Sequence, residues 1–363
     1  MLNLYFLLAL TLTAFANTDA AAKSQRKVYT SRADLPNLHV NALAQDSLGY
    51  IWVGTANGLC RDKGNAYDIF SSDKADSATI PSNNVTALLY RNGTLWIATA
   101  RGLASKAAHS NAFVRYTIKS EKKHSEGYYC GFVLFNGSLY TYGYNGLYEI
   151  DAEHHQLIPK VNFDRRDVQA AAIAPDGHLW LASGDELLCL DNRLNVNRRV
   201  ALPPGNAVSA MLTDGGFILL GSQRGILRFD PATSQITPMP GAEALANTPI
   251  NTLLPLQHTD KLLIGTRGHG PQLFDKSNGR ILSVTGKFNF TKIPSVDITA
   301  AFLDSESNLW FGTFDKGVFR IAARDDVFNS DHKMIDAFRG HFVTRIEGDN
   351  RGRFWIGTRY RGL

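Results

Sequence analysis

Cysteine is scarce in this chain: three residues among 363, at positions 60, 130 and 189. They stand alone, with no Cys-x-x-Cys pair and no histidine at zinc-ligand spacing, which excludes a zinc ribbon or a thiol redox motif. One pair could bridge in an oxidising compartment, but buried free thiols fit three isolated cysteines better. Long apolar runs are missing beyond the first dozen residues, so no later stretch approaches the roughly 20 residues of a membrane helix. Charge is modest too. Lys and Arg total 38 against 33 Asp and Glu, a net +5 spread along the chain without blocks of one sign. That pattern excludes a dedicated nucleic-acid arm. No glycine-rich phosphate loop, nucleophile elbow or metal-ligand cluster occurs, and no cofactor or metal is expected.

What is present starts with an apolar block from Leu4 to Leu12, followed by the small-residue triplets Ala14-Phe15-Ala16 and Ala20-Ala21-Ala22. Too short to span a bilayer, this is the layout of a secretory signal peptide. It lacks only a basic residue in Met1-Leu2-Asn3. Residues 1–22 are expected to direct export.

The rest of the chain repeats itself. Trp52, Trp96, Trp180, Trp310 and Trp355 share one context, as in Ile51-Trp52-Val53-Gly54-Thr55 and Leu309-Trp310-Phe311-Gly312-Thr313. Degenerate copies centred on Tyr140, Leu219 and Leu263 fill the gaps, giving eight copies spaced 39 to 47 residues apart. Each copy runs in one order. A Val-x-Ala-Leu segment (Val40, Val85) leads to a polar turn such as Asp46-Ser47-Leu48-Gly49, then the Trp segment. A tight turn (Asn57-Gly58, Arg101-Gly102) and two further strand-like segments complete the copy, the outer one aromatic. Asn-Gly and similar pairs accept positive φ and close hairpins. Four short strands per roughly 44 residues is one propeller blade. The predicted fold is all-β: a β-propeller of seven four-stranded blades over residues 23–335, plus the start of a further blade in residues 336–363. Lys27-Val28-Tyr29-Thr30 stands where an outer strand would sit and could complete the blade of Trp310, removing a free edge. An eight-bladed propeller lacking its last strands is the other arrangement the repeat allows. The Gly-Thr after each Trp reads as packing: small residues where blades converge, with Trp filling the space between sheets.

Asp46 to Leu59, with Ile80-Pro81-Ser82-Asn83-Asn84-Val85 before the next copy, resembles the repeat of the two-component regulator propeller family; Asp304 to Val318 and Asp349 to Leu363 are similar. The resemblance implies the periplasmic sensor region of a hybrid histidine kinase or diguanylate cyclase. It further implies that this chain is the front part of a longer receptor, whose absent C-terminal segments would supply the membrane anchor and output domain. A homodimer of the full-length receptor is likewise implied.

The tight turn after the Trp strand recurs on one rim. Arg101, Arg224, His269 and Lys316 stand just before its glycine, and Arg267 shares the loop of His269. Cations on one end of a propeller focus positive potential and can pair with carboxylate or sulfate groups. These five are the candidate ligand-binding residues, and a small molecule or acidic oligosaccharide is the expected ligand. Tyr128, Tyr129, Tyr142, Tyr144 and Tyr360 could stack on sugar rings or pack between blades. No catalytic role is expected. The recurring aspartates (Asp46, Asp176, Asp214, Asp304, Asp349) sit at the opposite turns, where a carboxylate bonds backbone two residues on. A streptogramin-lyase-like or glycan-active propeller enzyme, or a periplasmic protein-interaction propeller, are the other functions the fold admits.

Overall fold

The repeated segments form antiparallel strands in the order in which they occur. The computed structural model describes residues 28–30, 34–64, 66–119, 127–163, 167–256, 259–282, 290, 293–323, 343–348 and 354–358. The expected signal peptide, Lys27, Tyr360 and Arg361 lie outside the described residues, as does the side chain of Trp355.

In the first blade, Val40–Gln45, Ile51–Thr55, Gly58–Asp62 and Tyr67–Phe70 pair in sequence from the inside outward. Six further sheets follow, their inner strands starting at Val85, Tyr129, Val168, Val208, Ile250 and Ile298. The third gains a fifth strand, because Thr117–Ile118 pairs parallel with Gln156 and Leu157. Among the described residues helical conformation is confined to the 3-10 turn Glu243–Leu245 and to Phe290. Each inner strand contacts the next around a ring, and Ile298–Leu303 returns to Val40–Gln45. The seventh blade takes its outer strand from the other end of the chain: Val28–Thr30 runs antiparallel to Phe319–Ile321, with Tyr29 opposite Arg320. Seven blades therefore close without the eighth copy. That copy forms its own hairpin, Val343–Gly348 with Phe354–Thr358, in the register of the other blades.

Three residue types hold the ring together. The Trp side chains fill the gaps between neighbouring sheets: Trp52 packs with Leu95, Ile97 and Phe113 of the second blade, and Trp180 with Phe229 of the fifth. A buried Trp removes roughly 150–250 Å² from water, on the order of 4–6 kcal/mol at ~25 cal/mol per Å². The glycine two residues on lets the next inner strand approach. A Cβ on Gly54 would lie 2.6 Å from Val85 Cγ1, and one on Gly312 would lie 2.6 Å from Val40 Cγ1.

The third type is the variable residue of Val-x-Ala-Leu. In every blade it sits at a register shift, the two-against-one count of a β-bulge. Freed from the ladder, a polar side chain at this position donates to a carbonyl of the next blade in five of the seven, whereas Gln169 in the fourth accepts from Gly184 N of its own blade. Asn41 Nδ2 bonds Val85 O at 2.7 Å, Thr86 Oγ1 bonds Tyr129 O at 2.6 Å, Ser209 Oγ bonds Ile250 O at 2.5 Å and Asn251 Nδ2 bonds Ile298 O at 2.8 Å. Thr299 Oγ1 donates to Val40 O and ties the last blade to the first.

Cys60, Cys130 and Cys189 are free. Burial pushes their thiols up, to about 12 for Cys60 and Cys130 and about 11 for Cys189.

Candidate ligand-binding face

The turns between second and third strands share one end of the propeller with the connections that lead into the inner strands. Backbone hydrogen bonds join the two sets: Gly58 N to Asn83 O, Ala100 N to Asn84 O, Tyr144 N to Tyr128 O, Gly268 N to Val296 O and Gly317 N to Leu38 O. A hydroxyl shapes each of five turns. Thr99 Oγ1 donates to Gly102 O at 2.8 Å and accepts from Arg101 N at 3.2 Å. Thr55, Ser222, Thr266 and Thr313 do the same for Asn57, Arg224, His269 and Lys316. The recurring Thr is thus a turn-former as well as a small packing residue, a role that only the pairing geometry reveals.

Arg101, Arg224, Arg267, His269 and Lys316 are all exposed on this end. The structure does not bring them to one point. Arg101 stands alone on the second blade. Arg224 turns aside, its guanidinium lying close against Gly205. Arg267, His269 and Lys316 share the arc of the sixth and seventh blades, whose turns are one residue longer than the others. Thr248 Oγ1 lies 3.4 Å from His269 Nδ1, and Lys316 Nζ lies 3.6 Å from Asp315 Oδ2. Two carboxylates brace this arc: Asp297 Oδ1 accepts from Gly268 N at 2.7 Å, and Asp315 Oδ1 from Ser295 Oγ at 2.7 Å.

The arc also gathers residues that the sequence does not single out. Phe314, inserted in the longer turn of the seventh blade, meets the His39 ring at 4.4 Å between centroids, inclined by 50°. Burial and the nearby Arg267 guanidinium lower the pKa of His39 below its ordinary value, keeping the ring neutral beside that cation. Phe314 remains 46% exposed, Leu38 47% and Val296 57%. Tyr128 and Tyr144 form a second exposed pair on the third blade. Five of the seven large exposed apolar side chains among the described residues thus lie on this end. The one sequence signal for Phe314 is an aromatic inside an otherwise polar turn. Two of the tyrosines grouped with Tyr128 and Tyr144 are not available: Tyr129 is buried edge-on against Tyr148, and Tyr142 is half-buried in its sheet.

The opposite end carries the aspartate turns. Asp304 Oδ1 accepts from Glu306 N and Asn308 N, while its Oδ2 accepts from Trp310 Nε1 at 2.7 Å. Asp46 repeats the pattern with Leu48 N, Tyr50 N and Trp52 Nε1. These carboxylates are bound into the fold. Among the described residues no group of three or more His, Cys, Asp or Glu is placed to hold a metal ion, and no helix is long and apolar enough to cross a membrane.

Residues 34–57 and 79–101 match the family model described as two component regulator propeller. No curated protein matches the sequence. Among solved structures, the extracellular domain of a hybrid two component system from B. thetaiotaomicron is similar with 21% identity and a TM-score of 0.68, over 92% of this chain and 47% of that one. A second such domain from the same organism gives 18% identity and 0.64, over 92% and 44%. This chain therefore spans about half the length of those domains. Virginiamycin B lyase from Staphylococcus aureus is similar at 13% identity and 0.62, over 82% of this chain and 99% of that one. At these identities the structural likenesses establish the fold.

Proposed function

We propose that this propeller, which carries two-component regulator propeller repeats, is the extracytoplasmic sensor module of a signalling receptor and binds an anionic, glycan-like ligand. The arc of the sixth, seventh and first blades would hold it. The single observation that carries the reading is the juxtaposition of an exposed Phe314 face, the His39 ring and the Arg267 guanidinium on the propeller end that also bears His269 and Lys316. An aromatic face suits the apolar side of a pyranose ring, and a guanidinium pairs in a fork with a carboxylate or sulfate. The apolar block and small-residue triplets at the N-terminus support export, and with it a periplasmic location; a membrane anchor and an output domain would complete such a receptor. The reading is of binding rather than catalysis.

A thermal-shift screen tests it, with oligogalacturonates, sulfated glycosaminoglycan oligosaccharides and neutral oligosaccharides at two salt concentrations. A ligand at 100 times its Kd stabilises by about 2.7 kcal/mol. The expected result is a salt-sensitive shift with acidic sugars that Arg267→Ala together with Phe314→Ala removes. No shift with any sugar, from a folded sample, would overturn the glycan reading.

A further inference from the structure

A cavity of about 420 Å³ opens on the same end, beside the fifth blade, between Pro203, Ile226, Pro238, Met239 and Ala246, with Arg224 and Glu243 among its polar lining. That is within the usual size of a small-molecule pocket, roughly 300–1,000 Å³. Its walls are fixed to one another rather than merely adjacent. Met239 N donates to Ile226 O at 3.0 Å and Asn247 N to Arg224 O at 3.2 Å, which pins the 239–247 connection along the third strand. Asn206 accepts from Ser222 Oγ at 2.9 Å, which pins the opposite wall. The Arg224 guanidinium lies against Gly205, where, at φ +77°, a Cβ would lie 2.9 Å from its Nε.

The chemistry of the lining is specific. Aliphatic and proline side chains form most of the body, and no aromatic ring lines it, so it offers a sugar no stacking face. Arg224 is exposed and takes part in none of the ion pairs among the described residues, so its fork is open to an anion. Glu243 accepts from Gly241 N at 2.9 Å and carries its own negative charge into the same cavity. We propose that this cavity is a binding site for a small apolar monocarboxylate, its carboxylate on Arg224 and its hydrocarbon body against Pro203, Pro238 and Met239. Glu243 sets selectivity against a second negative charge. The site is separate from the arc of Arg267 and Phe314, and its ligand class is different.

Isothermal titration of the chain with 4-phenylbutyrate, 4-phenylbutanol and phenylsuccinate tests it. The monocarboxylate should bind at least tenfold more tightly than either the alcohol or the dicarboxylate. Arg224→Gln should abolish that preference over the alcohol. Ala246→Trp, on an exposed wall position, should block all three while circular dichroism stays unchanged. Absence of heat with 4-phenylbutyrate up to millimolar concentration, or binding that Arg224→Gln and Ala246→Trp leave intact, would overturn the proposal. Unaltered response of the two variants to acidic oligosaccharides would separate this site from the other.

Discussion

Adding one methyl group to Gly54 tests how the blades meet. Its backbone lies outside the left-handed region, so alanine brings no dihedral penalty. The new Cβ would lie 2.6 Å from Val85 Cγ1, 3.2 Å from Val85 Cβ and 3.5 Å from Ala42 Cβ. Val85 is fully buried and fixed in the second blade's inner strand, so it cannot swing into solvent. Overpacking of this kind costs about 1–3 kcal/mol, against which the stiffer unfolded chain returns about 0.4–1 kcal/mol. A net loss of about 1–2 kcal/mol is expected. For roughly 300 ordered residues that corresponds to a fall in Tm of about 2–3 °C. Gly216→Ala is the control, since a Cβ there would meet nothing within 4 Å and its φ is ordinary; it should be neutral or slightly stabilising. Differential scanning calorimetry of both variants, and of Gly54→Ala with Val85→Ala, completes the test. The double variant should be less destabilised than the sum of the two single changes. If Gly54→Ala matches Gly216→Ala, or if the two changes are additive, close approach is not why the repeat carries glycine.

Other perturbations follow from the same geometry. Thr99→Val keeps the shape of the side chain but leaves Gly102 O and Arg101 N without their hydroxyl partner, and should lower stability by about 1–3 kcal/mol in urea denaturation. Asp304→Ala strips the partner from Trp310 Nε1 and two backbone amides. It should cost about 3 kcal/mol, and a loss below about 1 kcal/mol would show that the carboxylate is dispensable. Stability should also fall with pH in two stages. Lowered by burial and Arg267, His39 is neutral in the fold; the unfolded chain takes up the proton first, so stability declines as pH drops through the ordinary imidazole value, about 6.5. Asp68 is held low by hydrogen bonds from Lys63 and Arg61, and Glu149 by one from Lys160. Their contribution, complete above the ordinary carboxylate range, is lost as pH falls through it. His39→Asn should remove the first stage of a urea-midpoint profile and leave the second.

The fold is legible because its signals are local and repeated. The near-constant spacing of the repeated segments gives eight copies and the propeller class, and it is the strand-like Val28-Tyr29-Thr30 ahead of the first inner strand that favours closure at seven blades over eight. The glycine of Gly-Thr announces close packing. Its threonine is legible only in part, since the hydroxyl's turn bonds depend on a register that spacing does not specify. The Asp-to-Trp hydrogen bond is hidden for a related reason: Asp46 and Asp304 suffice as turn-formers, and nothing in the sequence says that the free carboxylate oxygen reaches the indole. The bulged Asn41, Thr86 and Ser209 stand only as the variable letter of a pattern. Least legible is the arc of His39, Arg267 and Phe314. Those residues come from opposite ends of the chain and meet only because the ring closes. Arg224 illustrates the converse: it shares a turn position with Arg101, yet it lies against Gly205 and lines a cavity of its own.

Hydrogen–deuterium exchange of the chain saturated with an oligogalacturonate that stabilises it tests the central claim most directly. The account predicts protection at residues 267–270 and 314–317 and in the connection at 37–39, with the aspartate turns at 46–50 and 304–308 unchanged. Protection concentrated at the aspartate turns, or none at 267–270 and 314–317 while ligand is bound, would contradict it.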